Sequence, residues 1–341
     1  MNLFIILMAF VISIVIMLVF LPNTIEMLED RKRLAEDIHK KSKHKVPKGG
    51  GFILLFAIVS SLLVIVGFST FVLDNAVNPA ILGALVSILM AGMVGLLDDN
   101  LDFRDRTKII VPIVASIPLM ALNVGTTTMA IPLIGEVNLL WAYPLVVVPL
   151  MTTFIIDSTN MYGGMNGLES GLSIVNSSAI LAYIVLKPLL TERSLGQHQI
   201  DGATIAASLL GASIVFFAFN KYPAKVLPGD VGRLPMGAAM AASLIIGNMN
   251  RLAVILYTPF LLNFVLYLVY RLDVKRTGME YQKFAEPRED GSLSVAGPYT
   301  IYWLLPHFFD GISEKKNVTF LILLQGIIAY GGVILLLVSG V

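Results

Sequence analysis

Long apolar runs recur along most of the chain, each close to the roughly 20 residues a helix needs to cross a hydrocarbon layer of about 30 Å. The first covers residues 2–21, and others follow at 50–72, 79–97, 109–124, 139–156, 168–186, 203–219, 233–248, 252–270 and 317–339. The pattern predicts an all-α integral membrane protein, with about ten transmembrane helices in one bundle and a single polytopic domain over residues 1–341. The first run has no positively charged lead-in and no small-residue cleavage site, so it reads as a retained span and not a signal peptide. Pro112, Pro118, Pro144 and Pro149 fall inside runs, where spanning helices tolerate them. Between spans four and five, β-formers around Gly125, Pro132 and Gly135 predict a small extracytoplasmic hairpin over 126–138.

Composition agrees with the pattern, since 56% of the 341 residues are hydrophobic and only 14% charged, far below the share of about a quarter in soluble domains. The absence of cysteine excludes disulfides, thiolate metal sites and thiol catalysis. Net charge is +1, and in a membrane protein its placement carries more information than its sum. Eight Lys and Arg follow span one (Arg31, Lys32, Arg33, Lys40, Lys41, Lys43, Lys45, Lys48). Arg104, Arg106 and Lys108 follow span three, and Lys221, Lys225 and Arg233 follow span seven. After span nine come Arg271, Lys275, Arg276, Lys283, Arg288, Lys315 and Lys316. These odd-numbered exits hold 21 of the 24 basic residues, leaving Lys187, Arg193 and Arg251 for the other side. The positive-inside tendency then makes the basic face cytoplasmic and both termini extracytoplasmic in a multi-pass protein of the cell membrane.

Polar clusters stand at three of these exits. Span three runs into Gly95-Leu96-Leu97-Asp98-Asp99-Asn100-Leu101-Asp102-Phe103-Arg104. Carboxylates are badly placed at a helix C-terminus, whose dipole favours cations, so a compensating group is expected. Mg²⁺ takes one or two carboxylates beside substrate phosphate, and Lys108 offers a point charge for a phosphate. The plainer alternative is a solvated loop capping a span. The second cluster, Asp157 to Glu169 (DSTNMYGGMNGLE), has no Lys or Arg but is dense in amides and hydroxyls. Its glycines allow turns and close ligand approach, and its asparagines can read a nucleobase edge or ligate a metal. A helix contact through Gly163 and Gly167 would explain those glycines alone. The third, Lys225 to Arg233 (KVLPGDVGR), would by itself be an ordinary Pro-Gly turn. All three emerge on one face and so can converge on one metal and a polyanionic substrate. Lys40 to Phe52 (KKSKHKVPKGGGF) and the 271–316 segment complete that face. Lys48 and Arg288 in them are candidates for phosphate, while most of these basic residues suit an anionic lipid surface.

The motifs GLLDDNLDFRDRTK (95–108), NMYGGMNGLE (160–169) and LPGDVG (227–232) resemble those of the polyprenyl-phosphate N-acetylhexosamine-1-phosphate transferases, a glycosyltransferase family 4 type. They are most similar to the dolichyl-phosphate GlcNAc-1-phosphate transferases of archaea and eukaryotes, and the resemblance runs through span nine. It implies a ten-helix bundle whose cytoplasmic groove holds Mg²⁺, with Mn²⁺ as an alternative, the nucleotide sugar and the lipid phosphate. Carried onto this chain, Asn160 and Asp230 match the metal ligands, Asp98 and Asp99 the paired aspartates needed for activity, and Lys108 a lysine on the diphosphate. Asn166 matches the uridine-binding asparagine, with Gly164, Glu169, Asp102, Lys48 and Arg288 as further substrate contacts. The implied partners are UDP-N-acetylglucosamine, polyprenyl or dolichyl phosphate and membrane lipid, without nucleic acid and with a homodimer allowed. The implied reaction yields GlcNAc-diphospho-polyprenol and UMP, an initiating step of lipid-linked glycan assembly. Another UDP-N-acetylhexosamine or undecaprenyl phosphate would use the same chemistry. The muramyl-pentapeptide branch carries a histidine cluster in the last cytoplasmic loop where this chain has only His307, which disfavours that substrate. An ion-coupled transporter, the reading from another class, calls for acids at mid-span, where this chain has almost none.

Overall fold

The computed structural model describes residues 2–42, 44–131, 135–191 and 195–339, so Lys43, Pro132 and Arg193 lie outside the described residues. Helix α1 (Asn2–Asp30) runs past its apolar stretch to a hairpin of β1 (Leu34–Glu36) and β2 (Lys45–Pro47), after which come α2 (Gly51–Phe71) and α3 (Pro79–Leu101). Span four follows as α4 (Asp105–Ile110), a 3₁₀ turn (Val111–Ser116) and α5 (Ile117–Ala121). The expected outer hairpin is present as β3 (Thr128–Ile131) and β4 (Gly135–Asn138), antiparallel with Thr128 opposite Asn138. A π turn (Tyr143–Val147) leads into α6 (Val148–Met161), then α7 (Leu168–Thr191), α8 (Gln197–Asn220), α9 (Asp230–Ile246) and α10 (Asn250–Thr277). A two-stranded hairpin, β5 (Glu286–Pro287) with β6 (Leu293–Ser294), and α11 (Ile301–Phe308) precede the last helix, α12 (Glu314–Val338).

Among the described residues, eight helices are long and apolar enough to cross a membrane. The other two expected spans are shorter: α9 has 17 residues, and the fourth is the apolar helix Thr107–Ala121, which tightens to 3₁₀ geometry in its middle. Proline explains the tightening, since Pro112 and Pro118 remove two backbone donors from the α-helical ladder. Hydroxyls add bonds to carbonyls of this stretch, Ser87 Oγ donating to the Ala115 carbonyl at 2.6 Å and Ser116 Oγ to that of Ile113 at 2.7 Å, while the Val114 carbonyl accepts the Ile117 N–H.

Helix α9 is the axis of the bundle and packs on α2, α3, α6 and α8. Its run Gly237-Ala238-Ala239-Met240-Ala241-Ala242-Ser243 is wholly buried, and such small side chains let helices approach closely where lipid supplies no hydrophobic drive between them. Large apolar side chains of the outer helices, among them Leu7, Leu18, Phe56, Leu63, Leu261 and Ile327, face outward. Because α9 is central, its first residue, Asp230, opens where the ends of α3 and α6 and the entry to α2 meet, at the end of the bundle rich in Lys and Arg.

Candidate active site

Asp98 is buried at the last turn of α3, where its Oδ1 accepts the Phe103 N–H at 2.9 Å and Lys108 Nζ at 3.0 Å. The lysine expected for a phosphate therefore also neutralises one acid of the cluster. Burial by itself would lower the Lys108 pKa, but the hydrogen bond and charge of Asp98, with Asp230 and Asp102 behind it, raise it. Asp102 ends the helix in the left-handed region (φ +47°), its side chain exposed and 3.5 Å from Lys108 Nζ. Asp99 has both oxygens engaged: Oδ1 pairs with Lys48 Nζ at 2.9 Å, and Oδ2 accepts the Val231 N–H at 2.9 Å. That N–H belongs to the first turn of α9 and has no partner within its own helix, so Asp99 caps α9 from another helix at the positive end of its dipole.

The contact between α3 and α9 depends on Gly95, where a Cβ would lie 2.2 Å from the Asp230 carbonyl oxygen. Asp230 stands just ahead of the apolar run of α9, in contact with Asp98 and 3.8 Å from Arg233 Nη1. Burial pushes its carboxyl up to about 6 against the pull of Arg233, with the charges of Asp99 and Asp98 adding to the rise. Lys48 reaches Asp99 because the entry to α2 is zipped to the 227–228 segment. Gly49 and Gly50 donate to the Leu227 carbonyl at 3.1 and 3.2 Å, and Gly51 to that of Pro228 at 3.0 Å. The triple glycine thus serves close backbone packing.

Between α6 and α7 the chain turns through Gly164 (φ +117°) and Gly167 (φ +83°), conformations that suit glycine. Gly163 and Gly167 lie in this loop and not on a helix, yet Gly167 still serves a helix contact, since a Cβ there would lie 2.9 Å from Lys221 Cα at the end of α8. Glu169 Oε1 accepts the Gly164 N–H at 2.8 Å and lies 2.8 Å from Arg233 Nε, tying the loop to α7 and α9. Asn166 is buried, donating its backbone N–H to Glu314 Oε1 at 2.7 Å and its Nδ2 hydrogen to Asp37 Oδ2 at 2.8 Å.

Two adjoining cavities of about 270 Å³ each share Gly164, Asp230, Arg233 and Phe284 as walls. One adds Lys48, Asp37 and Asn166, the other Lys108, Asn160 and Asn263. Of the sequence-derived candidates, Lys48, Lys108, Asn160, Gly164, Asn166 and Asp230 line these cavities, Asp98, Asp99, Asp102 and Glu169 each bond to a lining residue, and Arg288 alone stands apart. The last is on the β5–β6 turn, 3.5 Å from the exposed Asp310. Five carboxylates (Asp98, Asp99, Asp102, Asp230 and Glu169) face three basic groups paired with them (Lys48, Lys108 and Arg233) and a fourth, Lys283, on the cavity wall. That excess of acid, made of hard oxygen donors with the Asn160 amide beside Asp230, fits a divalent cation such as Mg²⁺.

Three functional-looking groups have no counterpart in the motif reading: Asp37, His39 and Glu314, all buried, with ligand-type atoms within 4.8 Å of one another. Burial holds His39 neutral, its pKa lowered to about 4, with Asp37 and Lys40 as the weaker influences. Asp37 already pairs with Lys40 and accepts from Asn166 on the same oxygen, so a cation here would have to displace an ammonium group. Only partners far apart in sequence reveal this trio, since Glu314 lies 148 residues from Asn166.

The pattern of glycosyl transferase family 4 matches residues 81–248, the stretch carrying Asp98, Asp99, Lys108, Asn160, Asn166 and Asp230. A Saccharolobus solfataricus protein, provisionally named a UDP-N-acetylglucosamine–dolichyl-phosphate N-acetylglucosaminephosphotransferase, is 30% identical over 98% of this chain and 97% of its own. A protein of the same provisional name from Sulfolobus acidocaldarius is 32% identical over 76% of this chain and 77% of its own. The phospho-N-acetylmuramoyl-pentapeptide-transferase of Bacillus pumilus is 28% identical over 83% of this chain and 86% of its own.

Proposed function

The chain belongs to glycosyl transferase family 4, and on that premise we propose that it transfers N-acetylglucosamine 1-phosphate from UDP-N-acetylglucosamine to a polyprenyl phosphate of the dolichyl type. The products are GlcNAc-diphospho-polyprenol and UMP, which places the reaction at the start of lipid-linked glycan assembly. The observation that carries this reading is the convergence of Lys108, Lys48, Arg233 and Asp230 on one divided cavity at the basic end of a membrane bundle. Such a cavity offers cationic donors to a diphosphate at the depth where a lipid phosphate sits.

In this reading an oxygen of the lipid phosphate attacks the β-phosphorus of the nucleotide sugar, and the bond from that phosphorus to the α–β bridging oxygen breaks as UMP leaves. The attacking oxygen is already ionised at neutral pH and needs no base, in keeping with an Asp99 whose two oxygens are occupied by Lys48 and the α9 N–H. Lys108, held by Asp98, supplies positive charge where negative charge develops on the leaving oxygen. Asn160 and Asp230 would hold Mg²⁺, or Mn²⁺ in its place, which neutralises diphosphate charge when bound. Asn166 and Gly164 line the cavity on the side taken for uridine.

The acceptor's hydrocarbon has a matching surface. An apolar groove of about 320 Å³ runs between α6 and α10 from Met129 and Asn250 at the β3 end to Leu261, lined on the way by Leu150, Phe154 and Val254. The same two helices carry Asn160 and Asn263 to the cavity. The dolichyl reading is preferred to the muramoyl-pentapeptide one because the Saccharolobus relative aligns over nearly the whole chain, and because His307 is the one histidine after span nine. By the placement of its basic residues the active site faces the cytoplasm.

The test is direct: purified protein given Mg²⁺, UDP-N-acetylglucosamine and dolichyl phosphate should release UMP. Parallel reactions with UDP-N-acetylgalactosamine and with undecaprenyl phosphate would rank sugar and lipid. No UMP from any combination would overturn the proposal.

A further inference from the structure

We infer that Asp37 is a specificity-determining residue which selects uracil over cytosine by fixing the orientation of the Asn166 side-chain amide. The inference rests on the uridine reading above and deepens it.

A primary amide has two faces of opposite character, a carbonyl that accepts and an NH₂ that donates. Left free, Asn166 could turn either toward a ligand. Its surroundings remove that freedom. Asp37 Oδ2 lies 2.8 Å from Asn166 Nδ2 and also pairs with the Lys40 ammonium, so this oxygen acts as an acceptor and only the NH₂ can face it. The backbone is fixed independently, because the Asn166 N–H donates to Glu314 Oε1 at 2.7 Å and Gly167 turns the chain immediately afterwards. Among the described residues Asn166 Oδ1 has no hydrogen-bond donor, while the residue lines the cavity wall with Gly164, Ile38 and Phe284. The outcome is a carbonyl oxygen available to a ligand at a fixed place.

Such an oxygen suits a ring N–H. Uracil carries one at N3, whereas in the same pose the N3 of cytosine presents a lone pair and would leave two acceptors facing each other. Leaving a buried polar group unmatched costs enough to give roughly five- to hundredfold discrimination. Asp37 also lines this cavity, and in this scheme its ionised oxygen faces Asn166 and not the base. It acts through Asn166, and both residues are buried, so solvent does not compete for the hydrogen bond.

Full-length protein in detergent, titrated with UDP and with CDP by calorimetry in the presence of Mg²⁺, tests the inference. Wild type should prefer UDP by roughly tenfold or more. In Asp37→Asn the group facing Asn166 can itself donate or accept, so the amide can flip, and the UDP:CDP preference should fall to within a few-fold. Asp37→Glu, which keeps an ionised acceptor, should restore part of the preference. Glu314→Gln, which retains an acceptor for the backbone N–H and leaves the amide alone, should keep the wild-type ratio. Equal UDP and CDP affinity in wild type overturns the inference even if no Asp37 variant folds, and so does an unchanged ratio in a folded Asp37→Asn. If wild type binds neither nucleotide, the uridine reading itself falls and takes this one with it.

Discussion

Gly95→Ala is a single-methyl test of whether the α3–α9 contact sets the geometry of the site. The added Cβ would lie 2.2 Å from the Asp230 carbonyl oxygen, 2.5 Å from its carbon and 2.7 Å from Val231 N. All three are backbone atoms, so no side chain can rotate away. Restoring ordinary contact, which begins near 3.4 Å, moves α3 and α9 apart by about 1 Å, and a displacement of that size at reacting groups costs roughly a hundredfold in rate. Asp98, Asp99 and Asp230 all ride on these two helices, so the separation also stretches the 2.9 Å bond from the Val231 N–H to Asp99. For stability, overpacking costs about 1–3 kcal/mol, offset by roughly 0.5–1 kcal/mol for replacing a helical glycine with alanine. The expected variant therefore folds with a slightly lowered Tm and loses about two orders of magnitude in UMP release, mainly in kcat. Gly67→Ala on α2 is the control: no atom lies within 4 Å of its Cβ, so only the helix-propensity gain should appear. Gly95→Ala with turnover and Tm close to wild type would refute the argument that backbone proximity here positions the acids.

Four other expectations follow from the geometry. Asp230→Asn and Asn160→Ala should each abolish Mg²⁺-dependent UMP release while leaving Tm nearly unchanged, and normal turnover in either would remove it from the metal assignment. Asp99→Asn keeps an acceptor for the α9 N–H and should remain folded, whereas Asp99→Ala loses the cap and about 1–2 kcal/mol; equal melting curves for the two would dismiss the capping role. His39 has a folded-state pKa lowered by burial to about 4 against 6.5 when unfolded. Its neutral form therefore contributes fully above pH 6.5, and that contribution, roughly 3 kcal/mol, is lost as pH falls toward 4. The Tm gap between wild type and His39→Gln should narrow over that window, the comparison cancelling the charges of Asp37, Lys40 and Glu314 that face the ring; parallel curves would contradict this. Because the chain has no cysteine, single replacements give clean topology reporters: Lys41→Cys should be labelled by an impermeant maleimide only in opened cells and Glu136→Cys in intact ones, the reverse pattern inverting the orientation.

Much of the architecture was legible because membrane insertion is governed by local quantities. A run of apolar residues either reaches across about 30 Å of hydrocarbon or does not, and its end is marked by charge, as at Arg31 and Arg271. At span four the same local reading gives one helix, and the segment is helical throughout, but only the folded structure shows that its middle, near Pro112 and Pro118, tightens to 3₁₀ geometry. The site was legible in part for a similar reason. Carboxylates crowded at a helix C-terminus demand compensation, which singled out Asp98, Asp99 and Lys108 and is met by the Lys108–Asp98 pair.

What only the tertiary structure decided is how those groups are used. Asp99 bonds the first turn of α9, 132 residues away, and the 49–51 glycines serve close packing on the 227–228 segment. Asp37 reaches Asn166 across 129 residues, Glu314 reaches it across 148, and Arg233 joins Glu169 from a different helix. None of these pairings leaves a trace in periodicity or spacing. Hydrophobic length is a property of a segment, so the chain alone determined a multi-span bundle with its polar clusters gathered at one end. A hydrogen bond is a property of two atoms within about 3 Å, and which side chains come that close was settled only when the helices packed around α9.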